Sequence, residues 1–393
     1  MRKCADWIDS YLKLNENTEP PEIFHKWVAI SCIAACMQRK CVLPWGDLLF
    51  YPNLYVVLIA PPGRARKGTA MRPVMKFLEE SQLNIKLAAE AITREQLIRE
   101  LRDSEEMLTL DDGRLITHSS LTICNSELTV FLGYQNPQLI VDLTDWYDCK
   151  DRWRYRTKNA GEFDITNVWI NILGATTTDL LRMSLPPAAI GGGLTSRIIF
   201  VYAGSKRATI PDPFVTMEMR EIKQHLLDDL EQIVALHGEY KPTADYLAAY
   251  TEWYMINDPN PPFQDAIFSA YCERRAATVM KLATIMSASH TNQLVVTAGD
   301  FLRAVSMLEE VEQNMPMALS GIGQGKYADV MARVMVEIST RKECTMDSLM
   351  WKFRNDITHW EMERVLVSLE SMGYCAYIVN THKILYNNGF DKK

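Results

Sequence analysis

The sequence predicts an α/β fold in which helices cover a parallel sheet. Apolar segments with strand character alternate with helical patterns between residues 50 and 202, and this alternation is typical of parallel α/β sheets. Residues 216–320 carry mainly helical patterns, among which residues 266–289 predict one long helix. Residues 327–388 show three helical patterns followed by a hairpin, which predicts a separate small domain.

The length of the chain sets the expected number of domains. A chain of 393 residues accommodates two or three domains and a sizeable core. We divide it into an N-terminal helical region (1–50), an α/β core (51–210), a helical region (211–320) and a C-terminal domain (327–393). The sequence GIGQG at 321–325 predicts the linker before the C-terminal domain.

The composition is that of an ordinary globular protein, with 48% hydrophobic and 23% charged residues. No apolar run of membrane-spanning length and no signal-type N-terminus occurs, so we expect no membrane span and a cytoplasmic or nuclear location. The nine cysteines are scattered. Cys32, Cys36 and Cys41 lie in an apolar helical segment without a nearby fourth ligand, which favours buried free thiols over a metal site. Because the net charge is −7, any nucleic-acid site must be a local patch.

Residues 52–71, PNLYVVLIAPPGRARKGTAM, have the layout of a phosphate-binding loop. An apolar strand pattern at 54–60 leads into a glycine-bearing basic loop and then a helical pattern. Backbone N–H groups at a helix N-terminus attract phosphate, and a lysine adds a full positive charge. The site residues predicted here are Gly63, Arg66, Lys67, Gly68 and Thr69.

This loop departs from the usual pattern G-x-x-x-x-G-K-[ST]. Arg66 stands where a glycine normally precedes the lysine, and Gly68 separates Lys67 from Thr69. We assign Lys67 to the β- and γ-phosphates of a nucleotide and Thr69 to Mg²⁺. The alternative interpretation is a basic turn between a strand and a helix.

A carboxylate follows the next alternating apolar segment. Residues 120–128 read SLTICNSEL, so Glu127 lies at the end of a predicted strand, about where a phosphate-hydrolysing site needs an acid to activate water. The acid that usually precedes it is absent, because Asn125 and Ser126 occupy that place. Glu127 is our predicted catalytic base, and a surface glutamate at a strand end is the alternative.

Residues 150–167 predict a hairpin with one cationic face. The five basic residues of the segment are spaced by two, so in a strand they share one face, while Trp153 and Tyr155 point to the other. Such a row of cations favours binding of a nucleic-acid backbone. The predicted DNA-binding residues are Lys150, Arg152, Arg154, Arg156 and Lys158. The alternative is a solvated face neutralised by Asp148, Asp151, Glu162 and Asp164.

Further candidates follow later strand patterns. Thr177, within the threonine run 176–178, either orients an attacking water or caps the following helix. Arg197, between a glycine-rich stretch and an apolar strand pattern, is the candidate arginine finger for a neighbouring subunit's γ-phosphate. Arg274 and Arg275 either contact the nucleotide or are ordinary helix-surface charges.

The pattern at 327–388 is that of a winged helix. Helical patterns at 328–340, 346–353 and 359–372 precede two short strand patterns, with a Thr358/Glu361 capping box at the third helix. That helix carries three glutamates, so it is poorly suited to reading duplex DNA. A DNA tether and a protein-docking module remain equal alternatives.

Together these motifs resemble the minichromosome-maintenance branch of AAA+ helicases, the self-loading helicases of staphylococcal cassette elements and related P-loop proteins of phages and mobile elements. The resemblance rests on motif order: Lys67, Glu127, the hairpin 150–167, Thr176/Thr177, Ser196-Arg197-Ile198, Arg274/Arg275 and residues 327–388. It implies a P-loop AAA+-type ATPase core, a helical lid at 211–320 and a C-terminal winged-helix domain. The large N-terminal DNA-binding domain of the minichromosome-maintenance proteins is missing.

The resemblance also implies an activity. The expected protein is an ATP- and Mg²⁺-dependent DNA translocase or replicative helicase, working as a homohexameric ring in the cytoplasm of a bacterial host. Primase and other replication proteins are the expected partners beyond DNA. Two alternatives stay open: an ATP-switched helicase loader or initiation adaptor that does not unwind DNA, and a degenerate P-loop protein that binds no nucleotide.

Overall fold

The computed structural model describes residues 2–80, 83–110, 113–133, 136–157, 161–185, 192–319, 328–354, 356–371, 373–378 and 383–386. The chain forms two compact units, Met1–Ser320 and Gly321–Lys393. The three N-terminal segments that the sequence separates therefore belong to one unit. The predicted linker 321–325 and Lys158 lie outside the described residues.

The first unit begins with two helices and a hairpin: α1 (Trp7–Leu14), α2 (Glu22–Met37), β1 (Cys41–Trp45) and β2 (Leu48–Phe50). The α/β region follows, with β3 (Tyr55–Ile59), α3 (Lys67–Glu80), α4 (Arg94–Asp103), β4 (Glu105–Thr109), β5 (Leu115–Asn125), α5 (Leu128–Leu132), α6 (Pro137–Tyr147), β6 (Arg152–Thr157), β7 (Gly161–Thr166), β8 (Val168–Thr176), α7 (Thr178–Ser184) and β9 (Ile198–Tyr202).

The central sheet has the strand order β4-β5-β8-β3-β9. Strands β5, β8, β3 and β9 are parallel, as the alternating pattern predicts. The edge strand β4 pairs antiparallel with β5, so the parallel sheet that the sequence predicts has one antiparallel edge strand. The reason is local: only the five residues 110–114 separate β4 from β5 in the sequence, and neighbouring strands with so short a connection pair antiparallel.

Helices cover both faces of this sheet. Tyr55 and Ile172 are paired in register and share one face, where the Tyr55 hydroxyl donates to Leu143 O of α6 at 2.7 Å. Asn171 points to the opposite face and donates to Ser31 O of α2 at 3.2 Å. Every residue of β3 and β8 is buried, which explains their unbroken apolar patterns.

The rest of the first unit is mainly helical. Its elements are α8 (Met217–Val234), β10 (Gly238–Glu239), β11 (Lys241–Pro242), α9 (Ala244–Asn257), α10 (Ser269–Cys272), α11 (Arg275–His290), β12 (Val295–Val296), α12 (Ala298–Glu312) and α13 (Met315–Ala318). The predicted continuous helix over 266–289 is wrong, because the chain breaks at Glu273 and Arg274. Helix α11 is buried on nearly every side, so its apolar pattern has no stripe that could reveal the break.

The second unit contains α14 (Ala328–Arg341), β13 (Glu343–Thr345), α15 (Met346–Phe353), α16 (His359–Ser371), β14 (Cys375–Ile378) and β15 (Lys383–Tyr386). Its sheet has the order β13-β15-β14, and β13 is a strand that the sequence pattern did not indicate. The Thr358/Glu361 capping box forms as predicted. Val334, Leu349 and Leu366 belong to its separate apolar core.

All nine cysteines are free thiols, and eight of them are buried, as their scatter in the sequence predicts. None of the described helices has the length and apolar character needed to cross a bilayer.

Candidate nucleotide site

Four loops leave the central sheet at one edge. In the strand register Ile59 lies beside Thr176 and Tyr202, and Asn125 lies beside Gly174. Ile59, Asn125, Thr176 and Tyr202 end their parallel strands, so the segments that follow them meet at the carboxyl edge. Ligands of α/β proteins bind in the crevice outside this edge.

The loop between β3 and α3 contains two residues with left-handed backbone, Gly63 (φ +68°) and Arg66 (φ +54°). Glycine adopts this conformation without strain, whereas an arginine pays a steric cost. Arg66 therefore retains the kind of backbone conformation that glycine readily provides at this position of the usual motif. Strained backbone of this kind concentrates at functional sites.

The Arg66 side chain is anchored by Glu19, outside the loop. Its Nε donates to Glu19 Oε2 at 2.9 Å, and Lys206 Nζ donates to Glu19 Oε1 at 2.5 Å. The hydrogen bond from Lys206 is the main reason that the pKa of Glu19 falls to about 2, with a further contribution from the Ile210 N–H. The Lys206 N–H also donates to Arg64 O at 3.0 Å, so the segment after β9 braces the loop.

Helix α3 begins at Lys67, directly after the strained residue. The Ala70 N–H donates to Arg66 O at 3.1 Å, so the N–H groups of Lys67, Gly68 and Thr69 precede the helical hydrogen-bond ladder. Gly68 and Thr69 are exposed. The first turn thus presents backbone donors, the positive end of the helix dipole and the Thr69 hydroxyl to solvent.

The Lys67 side chain folds back over the loop, and its Nζ donates to Ala60 O at 3.1 Å. Burial lowers the pKa of Lys67, and the carboxylate of Glu127 acts against this shift. The lysine and the predicted catalytic base therefore interact electrostatically across the carboxyl edge, although 60 residues separate them in the sequence.

Glu127 is exposed and lies immediately before helix α5. Its N–H donates to the side-chain oxygen of the buried Asn125 at 2.8 Å. The Asn125 amide in turn donates to Glu90 O at 2.6 Å, which ties Glu127 to an extended segment beside β5. Asn125 replaces the expected acid, and its side chain positions the backbone of the candidate base.

Thr177 caps helix α7, because its hydroxyl accepts a hydrogen bond from the Leu180 N–H at 3.3 Å. Thr176 is buried at the end of β8, next to Ile59. The capping alternative therefore describes the local role of Thr177, and a role in orienting water stays a prediction.

Arg197 lies at the other edge of the sheet, where β9 begins. Its side chain is 7% exposed and donates to both carboxylate oxygens of Asp148, at 2.6 and 3.2 Å. A third hydrogen bond joins it to Gly193 O at 2.8 Å. Within one protomer it is therefore not next to Lys67, and a role in a neighbouring subunit's site requires the pair with Asp148 to open.

The two candidate arginines of the helical region have other partners. Arg275 is buried and forms an ion pair with Glu312 at 2.7 Å, with its guanidinium over the ring of Trp253. Arg274 donates to Ala270 O at 3.3 Å. Helix α10, which precedes both arginines, contacts residues 195–197 at the amino edge of the sheet. The structure thus does not bring Arg274 or Arg275 to Lys67 within one protomer.

The predicted hairpin forms from β6 and β7, with Arg154 opposite Asp164. Trp153 is buried and packs against Trp146, and Arg94 stacks on Tyr155. Arg152, Arg154 and Arg156 are exposed on the other face, as their spacing predicts. The hairpin leads directly into β8 and therefore lies at the amino edge, away from Lys67.

Acidic residues neutralise part of the positive charge of the hairpin, as expected from the alternative to nucleic-acid binding. Asp164 forms ion pairs with Arg152 and Arg154, while Asp145 pairs with Lys150 at 2.8 Å. Asp151 forms an ion pair with Arg39, and Asp148 forms one with Arg197, so neither acid pairs with an arginine of the hairpin face in these contacts. Arg156 lies opposite Glu162 in the strand register, so the three arginines of this face share it with two acidic residues.

The described residues contain no group of three or more side chains arranged to hold a metal by themselves. A magnesium ion at Thr69 would take phosphate oxygens and water molecules as its remaining ligands. No family model and no curated protein matches this sequence.

Three residues that hold the candidate residues in place lacked a clear signal in the sequence. Glu19 and Asp148 lie 47 and 49 positions from the arginines that they bind, so no local pattern connects them. In the sequence, Asn125 only marks the place where an acid is expected. Its hydrogen bond with the N–H of Glu127 could have been predicted, because Asn side chains commonly bind the backbone N–H two residues further along the chain.

Proposed function

We propose that this protein is an ATPase that uses nucleotide hydrolysis to move along DNA, as a translocase or replicative helicase of a phage or mobile element. In this proposal Lys67 and the N-terminus of α3 hold the phosphates, and Thr69 is the residue that would hold Mg²⁺. Glu127 activates the attacking water. The magnesium ion would neutralise charge that develops on the phosphates.

The observation that carries the proposal is the geometry at the carboxyl edge of the sheet. A buried strand, a loop with two left-handed residues, an open helix N-terminus and a lysine folded over the loop together fit an anionic phosphate chain. The electrostatic link between Glu127 and Lys67 adds a base at the same edge. A simple basic turn does not require a strained arginine at position 66.

The cationic hairpin supports the DNA-binding half of the proposal. It projects from the amino edge of the same sheet, with an aromatic face packed on the protein and an arginine face in solvent. Nucleotide and DNA would therefore occupy opposite edges of one rigid sheet. Strand β8 joins the two edges, since it follows the hairpin and ends beside the nucleotide loop.

An ATP-switched loader or adaptor is the second candidate, favoured by the state of Arg197. A buried arginine with two bonds to Asp148 and one to Gly193 is held as part of the fold. An adaptor binds nucleotide and DNA without needing that arginine to reach a neighbour's phosphate. The winged-helix domain that we propose for the second unit, with its acidic third helix, would fit either a DNA tether or a protein-docking role.

ATPase and nucleotide-binding assays on Lys67→Ala and Glu127→Gln test the site. Lys67→Ala should lose binding, because it removes the charge that faces the phosphates. Glu127→Gln should keep binding and lose at least about 10²-fold in hydrolysis, the usual effect of removing a general base.

Lys76→Ala is the matched control, because Lys76 is exposed on the same helix but about 2.5 turns beyond Lys67. It should behave as the unaltered protein does. Full hydrolysis by the Lys67→Ala protein would reject the nucleotide site.

A further inference from the structure

A cavity of about 330 Å³ lies in the helical region, between the end of α9 and the start of α11. Its described wall comes from residues 253–276, a part of the chain that the structure describes without a gap. The aromatic side chains of this wall are Trp253, Tyr254 and Phe263, and its carboxylates are those of Asp258, Asp265 and Glu273. Aromatic walls with a few polar groups are typical of sites for small ligands, whose volumes begin at about 300 Å³.

Arg275, the basic residue of the described wall, is already neutralised within the fold. Its Nε and Nη2 donate to the carboxylate of Glu312 at 2.7 and 2.9 Å, and Nη2 also donates to Glu309 at 3.3 Å. Its Nη1 donates to the side-chain oxygen of Asn257 at 3.1 Å. The charge of Arg275 is therefore matched by these two glutamates and does not offset the carboxylates of the cavity.

The three carboxylates of the wall are exposed, and none of them forms an ion pair with a residue that the structure describes. The charge of Asp258 is the main cause that raises the pKa of the Tyr254 hydroxyl, and Glu273 adds to the effect. Two carboxylates that follow different helices, α9 and α10, thus act on one hydroxyl. Helix α10 also contacts residues 195–197, and the undescribed stretch before them, 186–191, contains no charged residue.

The chemistry of the wall favours an organic cation over a metal ion. The described side chains form no group of three or more that could hold a metal by itself. Aromatic rings attract ammonium and guanidinium groups, and a carboxylate binds a guanidinium through two parallel hydrogen bonds. Arg275 already shows this combination inside the fold, because it is bound to carboxylates while its guanidinium lies 5.0 Å from the centre of the Trp253 ring.

We propose that this cavity binds an organic cation, which is either the charged end of a basic side chain or a free polyamine. Asp258 and Glu273 bind the charged group, while Tyr254 and Phe263 contact its methylene stem. Long cationic chains commonly lay such stems along apolar surface. The site is independent of the proposed ATPase function, since it uses neither Lys67 nor the cationic hairpin.

Calorimetric titration with N-acetyl-arginine amide tests the proposal on the whole chain. N-acetyl-citrulline amide has nearly the same shape but a neutral urea group, so it should give no heat of binding. Asp258→Asn and Glu273→Gln should each weaken binding of the arginine probe by about tenfold, the loss expected for one hydrogen bond between charged groups. Both side chains are exposed at helix ends, so the fold should persist in each variant.

Glu252→Gln is the charge-matched control. Glu252 is an exposed acid of the same helix α9 that lies outside the described wall. This variant should bind the arginine probe as the unaltered protein does. An equal loss of affinity in the control would mean that the acidic surface attracts cations in general, and it would reject the site.

A titration with spermidine separates the two sources of the cation. Spermidine binding at least tenfold tighter than the arginine probe assigns the cavity to a free polyamine, and weaker binding assigns it to a basic side chain. Absence of heat with both cations at millimolar concentration overturns the proposal, as does equal binding of the arginine and citrulline probes. None of these titrations contains nucleotide or DNA, so failure of the cation site is distinguishable from failure of the proposed ATPase.

Discussion

At the scale of single residues, Arg66 shows how the site departs from its usual pattern while retaining a left-handed backbone. Its φ of +54° is one that a glycine adopts freely, and its side chain is bound to Glu19. The sequence pattern made Arg66 look like a defect in the motif. In the structure Arg66 has a strained backbone, and its long side chain donates a hydrogen bond to Glu19.

Arg66→Gly should be more stable than Arg66→Ala by about 1 kcal/mol, although both lose the bond to Glu19. Glycine relieves the left-handed strain that alanine keeps. Urea unfolding of the two variants measures the difference. Equal midpoints, or a more stable alanine variant, would contradict the strain at this position.

The buried His25 should make the folding stability of the protein depend on pH. It is buried, its Nε2 lies 2.9 Å from the Thr18 hydroxyl, and burial is the main cause that lowers its pKa to about 4. The unfolded chain, with an ordinary pKa near 6.5, binds the proton first. The stability contributed by neutral His25 is therefore complete above pH 6.5 and is lost as the pH falls through about 4.

Between pH 7 and pH 4.5 this residue should account for roughly 2 to 3 kcal/mol of lost unfolding free energy. A His25→Gln variant keeps a polar donor but has no titrating group, so its stability should fall less over the same interval. Chemical unfolding at the two pH values gives the comparison. Parallel losses in the two proteins would show that His25 is not the titrating group.

At the scale of elements, the hairpin β6–β7 separates its two faces by the two-residue period of a strand. Trp153, Phe163 and Ile165 are buried, while the arginines alternate into solvent. This alternation is readable in the sequence, because each strand residue faces opposite to its neighbour. The packing of Arg94 and Arg102 on the aromatic face is not readable, because both come from α4.

The triple variant Arg152→Gln/Arg154→Gln/Arg156→Gln should reduce the salt slope of single-stranded DNA binding by about 2, through the loss of three phosphate contacts. ATP hydrolysis without DNA should persist, since the hairpin and Lys67 lie at opposite edges. Arg102→Gln is the control, because Arg102 stacks on Phe163 on the other side of the hairpin. An unchanged slope in the triple variant would remove the hairpin from the DNA path.

At the scale of the whole molecule, the sheet separates two sets of charged residues. Lys67 and Glu127 lie at its carboxyl edge, and Arg197 with Asp148 lies at its amino edge. A head-to-tail ring would bring one protomer's amino edge to the next protomer's carboxyl edge. If Arg197 contacts the nucleotide at such an interface, the DNA translocase is favoured. If it does not, the ATP-switched adaptor is favoured.

Mixing the Lys67→Ala and Arg197→Ala proteins tests this arrangement. Lys67→Ala protomers still carry Arg197, and Arg197→Ala protomers still carry Lys67, so one kind of interface in a mixed ring is complete. For random equal mixing, about one quarter of the interfaces should hydrolyse ATP. Recovery of ATPase activity on mixing supports the translocase. Full activity of Arg197→Ala alone supports the adaptor, and inactivity before and after mixing contradicts an action in trans.

The sequence by itself determined the local features of this protein: the extents of most strands and helices, the loop at 60–66, the cationic face of the hairpin and the free cysteines. Each depends on residues within a few positions of one another, whose period and turn chemistry are set locally. Tertiary structure alone decided the edge on which each candidate lies, the break before α11 and the partners of Arg66, Arg197 and Arg275. These partners come from distant parts of the chain, and only the packing of the sheet and its helices brings their charges together.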